Sequence, residues 1–413
     1  MEKIMTNIKN LVVAQSGGPT SAINASLAGV IKGGLDSEKI GIVYGSKNGI
    51  DGILKENLVD LTARFENRED LDLLKITPAM ALGSCRHKLC DYKKDETECL
   101  KILNTLKKYN IGYFVYIGGN DSMDTTAKLS EFFKLKGEDI KVIGVPKTID
   151  NDLCITDHCP GFGSAAKFVA TTLYEIVRDC SVYDMNAVTI VEIMGRNAGW
   201  LTASAALTKA HHKTAPQLIY LPEVVFDTEK FINDVKDAIE KYKTVIVAVS
   251  EGVKTADGKY VCELASNCKE DNFGHKYTAG AGKYLENLVS EKIGCKVRSI
   301  ELNLPQRCAG HILSETDITL SFEIGERAVK ETTLNGTTGK MMAFKRVSSN
   351  PYKVDFVTCD VKDVANNEKK FPREWINEEG NDILPEALEY LSPLIQGEVK
   401  YKTVNGLPLH FIL

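Results

Sequence analysis

No apolar run in this 413-residue sequence is long enough to cross a bilayer. The opening stretch, MEKIMTNIKNLVVAQSGG, holds one short apolar run that stops at a glycine pair, which suits neither a signal peptide nor a membrane span. An excess of basic charge is also missing. Lys and Arg total 51 against 56 Asp and Glu, a net charge of -5, which argues against a broad nucleic-acid footprint. A local positive pocket for a small anion is still compatible with that balance. The 11 cysteines are odd in number and scattered, and Cys85 and Cys90 lack the spacing and partners of a zinc site. Reduced thiols in a cytoplasmic protein are therefore expected. There is no Gly/Ser-rich or Pro-rich linker, internal repeat or low-complexity tract, so any domains are expected to interleave.

What is present is a 43% hydrophobic, 26% charged chain with room for two domains and a cleft. Val- and Ile-rich runs predict buried strands at Leu11–Ala14, Ile40–Tyr44, Tyr113–Ile117, Val142–Val145, Val188–Ile193, Leu218–Leu221 and Val245–Val249. Between them, Glu98–Tyr109 and Thr228–Tyr242 carry apolar residues at helical spacing. This alternation predicts an α/β fold of mostly parallel sheets with helices on both faces, and ligands at the carboxyl ends of strands. From about residue 330 the character changes: strands at Lys340–Val347 and Tyr352–Thr358 precede an acidic, polar segment around Asn366–Asp382, read as an appended region packing on the core.

Four strand-to-helix loops carry chemistry-bearing residues. Ser16-Gly17-Gly18 precedes a helix that Thr20 or Ser21 is placed to cap; its glycines let backbone amides approach an anion, although a tight turn accounts for them equally well. Gly118-Gly119-Asn120-Asp121-Ser122 offers oxygen ligands for magnesium and amides for phosphate, the alternative being a helix cap from Asp121 or Ser122. Pro146-Lys147-Thr148-Ile149-Asp150-Asn151-Asp152 sets two carboxylates beside a lysine, enough for a general base, a metal contact and a cation for phosphoryl oxygens. Met194-Gly195-Arg196 suits a sugar phosphate, with Glu251 closing another strand. Arg86, Arg298 and Arg307 are further candidates for phosphate, each otherwise a solvated surface charge. A dinucleotide-like glycine pattern at Gly161–Ala166 is rejected, because a polar loop rather than a strand precedes it.

In order and spacing, these elements, with Pro305-Gln306-Arg307, resemble the phosphofructokinase family over most of residues 9–320. The resemblance implies phosphoryl transfer to the 1-hydroxyl of fructose 6-phosphate between two interlocked three-layer α/β domains, with magnesium. It implies Asp150 as base, with Lys147, Asp121 and Arg86 also catalytic. Gly18, Thr148, Ile149, Met194, Gly195, Arg196, Glu251, Arg298 and Arg307 would bind substrates, and Asn120 and Asp152 would face the metal. ATP-dependent members typically have glycines where Asp121 and Lys147 stand; a carboxylate there excludes the α-phosphate of a nucleotide, and the lysine supplies charge to pyrophosphate. The chain therefore resembles the pyrophosphate-dependent branch.

Three positions depart from the family pattern: Asn120 replaces a metal-holding aspartate, Ala187 an arginine that reaches a neighbouring subunit, and Leu304 a histidine or tyrosine. These leave open a rearranged sugar site and acceptance of a longer sugar such as sedoheptulose 7-phosphate. The implied domains are 1–160 with about 306–345 for pyrophosphate and magnesium, 161–305 for fructose 6-phosphate, and 346–413 appended. A homodimer or homotetramer is expected, with no nucleic-acid or membrane partner. An ATP-dependent sugar kinase, a lipid or dinucleotide kinase, and an inactive sugar-phosphate sensor are the competing readings.

Overall fold

A computed structural model describes residues 8–264 and 280–413; the first seven residues of the N-terminal stretch lie outside the described residues. Its eleven main strands are β1 (Lys9–Gln15), β2 (Ile40–Ser46), β3 (Leu58–Asp60), β4 (Ile111–Gly118), β5 (Lys141–Pro146), β6 (Ala187–Ile193), β7 (Leu218–Tyr220), β8 (Thr244–Ser250), β9 (Lys296–Glu301), β10 (Lys340–Ser349) and β11 (Tyr352–Asp360). They form a seven-stranded sheet in the order β11-β10-β5-β4-β1-β2-β3 and a four-stranded sheet in the order β7-β8-β6-β9. The small sheet is wholly parallel; in the large one only β2/β3 and β10/β11 are antiparallel.

The unbroken apolar runs follow from burial of both sheet faces. In β1, Leu11 and Val13 enter a core with Ile23, Leu27 and Ile324, while Val12 and Ala14 enter another with Ile102, Phe114 and Phe132. In β8, Ile246 and Ala248 face the core that includes Phe162 and Val169, and Val245, Val247 and Val249 face Phe231 and Leu285. Each sheet is thus the middle of three layers. After β9 the chain returns to the large sheet through the helix Glu315–Leu334, which packs on Ile23–Leu35 so closely that a Cβ on Gly29 would lie 1.9 Å from the Phe322 carbonyl oxygen.

The helix predicted at Thr228–Tyr242 has those bounds, and Asp227 caps it through the Glu229 and Lys230 amides. The expected cap by Thr20 or Ser21 does not form. Ala22 precedes Ile23–Leu35, and the Thr20 hydroxyl accepts from the Ala22 amide at 3.3 Å, before the helix begins. At the C-terminal end, β10 and β11 form a hairpin that extends the large sheet, so residue 346 falls inside a strand. Beyond it, Phe371, Ile376, Ile383, Ala387, Leu391 and Leu394 enter the core beside the small sheet. The ten cysteines among the described residues are unpaired, and no described helix is long and apolar enough to cross a membrane.

Candidate active site

The two sheets present the carboxyl ends of their strands to one seam. From the large sheet come the loops after β1, β4 and β5; from the small sheet come those after β6 and β8, with a short 3-10 turn at Leu304–Arg307. Gly17 has a positive φ of 79°, and a Cβ on it would stand 3.1 Å from the Lys147 ammonium, so only glycine lets the chain pass that close to the cation. Lys147 is buried and donates from Nζ to the Gly18 carbonyl at 2.7 Å. Across Gly18, a Cβ would lie 3.4 Å from the Arg307 guanidinium. A cleft of about 570 Å³ opens here, lined by Gly17, Gly18, Arg86, Asn120, Asp121, Lys147, Thr148 and Asp152.

Neither Asp121 nor Ser122 caps the helix Asn120–Leu135; both lie in its first turn, after Gly119. Ser122 instead shares a short hydrogen bond with Ser16, tying the β4 loop to the β1 loop. Asp121 is exposed along the cleft. The Asn120 side-chain oxygen is buried and has no hydrogen-bond partner. Together with Asp152 in the same cleft it makes a pair of hard oxygen donors, compatible with magnesium, which needs few protein ligands when phosphates and waters complete its shell. No cluster of three or more acidic, His or Cys side chains suited to a metal occurs among the described residues.

The loop after β5 is tightly held. Thr148 Oγ1 accepts from the Asp150 amide at 3.0 Å, and Asn151 accepts from the Cys159 amide and donates to the Tyr390 hydroxyl, both at 2.9 Å. Burial pushes the Asp150 carboxyl up to about 7, with Asp152 and Glu251 adding to the shift while Lys147 and Arg196 oppose it. Asp152 is likewise raised, first by burial and then by Glu368, against the pull of its backbone bond, Lys147 and Lys369. Burial also brings Lys147 down to about 8; Asp150 and Asp152 resist this and Arg307 reinforces it. These fields join Asp150, Lys147, Asp152, Arg196, Glu251 and Arg307 in one electrostatic neighbourhood.

On the small-sheet side, Gly195 donates to Glu251 at 3.3 Å and Met194 donates to Gln306 at 3.1 Å. Arg196 has a buried Nε without a partner, a donor the fold itself leaves unsatisfied. Two of the sequence candidates stand apart. The Ile149 side chain is in the core with Phe162 and Val191, leaving only its backbone for substrate contact. Arg298 pairs in register with Thr189, four residues before the end of β6 and so about 13 Å short of the strand end at ~3.3 Å per residue. It lines a separate recess with Asp179, Tyr183 and Ala187, so within one chain it does not join the cluster. Sequence reading gave no role to Gln306 itself, although the motif containing it was visible, and it missed Glu368 and Lys369, whose charged run reads as solvated surface.

The rejected glycine pattern at Gly161–Ala166 opens the helix Phe162–Cys180, but its amides are occupied: Gly161 and Ser164 each donate to the buried Asp317 carboxylate at 2.9 Å. A dinucleotide pyrophosphate would meet that carboxylate.

The phosphofructokinase family model matches residues 10–332. A pyrophosphate–fructose 6-phosphate 1-phosphotransferase of Xanthomonas campestris is 40% identical over 413 residues, covering 99% of this chain and 97% of the relative. One of the same name from Halomonas elongata is 39% identical over 402 residues, covering 97% and 94%. The crystal structure of a pyrophosphate-dependent phosphofructokinase from Nitrosospira multiformis superposes with a TM-score of 0.88 at 38% identity, covering 98% of this chain and 96% of that one.

Proposed function

The chain belongs to the phosphofructokinase family, and we propose that it transfers a phosphoryl group from pyrophosphate to the 1-hydroxyl of fructose 6-phosphate, giving fructose 1,6-bisphosphate and phosphate. The observation that supports the donor is Lys147, a buried ammonium on the Gly18 carbonyl with Asp150, Asp152 and Arg307 as its charged neighbours, placed to supply positive charge to pyrophosphate.

In this reading the Asp150 carboxylate accepts the proton of the 1-hydroxyl as that oxygen forms its bond to phosphorus. The bridging bond of pyrophosphate breaks towards the departing phosphate. Lys147, buried beneath the cleft, and Arg86, exposed at its wall, neutralise the phosphoryl oxygens, the lysine with less screening by water. Arg196, Arg307 and the Gly195 backbone steadied by Glu251 hold the sugar phosphate. Asn120 and Asp152 would hold magnesium, which when bound spreads the charge of pyrophosphate. Asp121 excludes a nucleotide by charge and bulk at the cleft wall.

A comparison of donors tests the assignment. Pyrophosphate with magnesium supports turnover and ATP does not, and Asp121→Gly introduces measurable ATP-dependent activity. A protein that prefers ATP from the outset would refute the donor assignment and leave the sugar-kinase fold intact.

A further inference from the structure

The run Asn366–Phe371 follows the short helix Val361–Val364, and its Glu-Lys-Lys centre has the composition of a solvated loop. It instead lies across the seam as a strap between two loops that belong to different sheets. On the large-sheet side, the Lys369 amide donates to the Asp152 carbonyl at 2.7 Å. The Lys369 ammonium reaches further along the same loop, donating to the carbonyls of Thr156 at 3.0 Å and Asp157 at 2.8 Å. On the small-sheet side, the Trp200 indole donates to the Lys369 carbonyl at 2.9 Å, Asn197 donates to Glu368 at 2.6 Å, and Lys370 donates to the Asn197 carbonyl at 2.5 Å. Phe371 anchors the strap in the core beside Trp200, with ring centroids 5.0 Å apart.

The chemistry of Lys369 is unusual for a residue that only fills space. Its ammonium lies 5.0 Å from the Trp200 ring centroid, and both of its hydrogen bonds go to neutral carbonyls, an arrangement that costs desolvation energy an apolar side chain would avoid. What the ammonium adds is directed bonds at two successive carbonyls of the loop that begins with Asp150, and a charge that opposes the upward shift of Asp152. One residue therefore grips the loop of the base at three points, while its own carbonyl is held by the residue that closes the Arg196 loop.

Resting on the reading of Asp150 as base, we propose that Lys369 is a positioning residue for phosphoryl transfer: it fixes the Asp150–Asp157 loop against the Met194–Trp200 loop, so that the base meets the sugar hydroxyl held from the other side. It acts through the two loops rather than on the substrates. Misplacing reacting groups by about 1 Å costs on the order of 10²-fold in rate, whereas the arginines that bind the sugar phosphate are left untouched.

Steady-state kinetics on the full-length protein test this. Lys369→Met lowers kcat by about 10- to 100-fold with both KM values within about twofold of the parent, the signature of a lost transition-state arrangement. Lys369→Arg, which can still donate to both carbonyls, recovers most of the rate. A folded Lys369→Met with parental kcat, or with its whole loss in KM, overturns the proposal. Should that variant not fold, Lys369→Gln, which keeps the backbone bonds of the strap but loses the ammonium, replaces it; a fall in kcat at unchanged KM supports the proposal, and parental kcat overturns it. The parent is assayed first: no turnover with pyrophosphate there counts against the donor and not the strap, which is then read with the donor the parent uses.

Discussion

At the scale of single residues, the site depends on groups taken far from their solution behaviour. In the proposed reaction Asp150 acts as base only once it has lost a proton that burial and two carboxylate neighbours help it keep, up to about 7. Lys147 is a cation only below about 8, because burial favours its neutral form. In the free protein, kcat/KM should therefore rise with pH through about 7 and fall through about 8, a narrow bell; a profile flat from about pH 6 to 9 would speak against these assignments. Asp150→Asn should keep the fold and lose roughly 10²–10⁴ in turnover, measured against circular dichroism of the same preparation. Near-parental turnover in a clean preparation removes Asp150 as the base.

At the scale of elements, strand ends are where polar groups are made to serve both fold and site. Glu192, near the end of β6, accepts from the amides of Gly280 at 3.1 Å and Gly282 at 2.7 Å, at the start of the helix Ala281–Ile293. Burial raises its carboxyl to about 7; Glu301 and Glu251 add to this and the two amides oppose it. A carboxyl with a folded-state pKa above its unfolded value binds more protons in the folded state, so the stability it contributes at low pH is lost as pH rises from about 4.5 through about 7. Glu192→Gln removes that dependence. The variant's Tm minus the parent's should therefore move upwards by about 3 °C or more between pH 4.5 and 8, and a difference that is flat or falls with pH counts against this account.

The elements also divide by how much of them periodicity could reveal. Leu11–Ala14 and Val245–Val249 were legible as strands because burial on both faces leaves an uninterrupted apolar run. The cap expected from Thr20 or Ser21 was misplaced, because where a helix begins depends on where the preceding loop is pulled. Gln15, through Asn24 and the Leu82 amide, draws that loop inwards.

At the scale of the molecule, two three-layer bodies share one seam, and the chain passes from the large sheet to the small one and back again. The proposed transfer exchanges a phosphoanhydride for a phosphate ester without the cellular driving force of ATP hydrolysis. The reaction should run measurably in both directions: fructose 1,6-bisphosphate, phosphate and magnesium should yield pyrophosphate. Failure to detect any, with the forward reaction active, would be inconsistent with pyrophosphate as the donor.

The sequence by itself determined the α/β class, the strand-to-helix loops and most of the residues at the seam, because each is local: a buried strand is a run of apolar residues, and a phosphate loop follows it within a few positions. Asp150, Lys147 and Arg196 were legible for that reason, and Arg307 through the resemblance carried by Pro305-Gln306-Arg307. Only the tertiary structure decided that Ile149 turns into the core, that Arg298 stands well short of the strand end, and that Glu368 and Lys369 lie near the Asp150–Asp157 loop from more than 200 positions away. Such placements are set by how sheets, hairpin and strap pack together, and a charged run carries the same composition whether it is solvated or holds two loops in register.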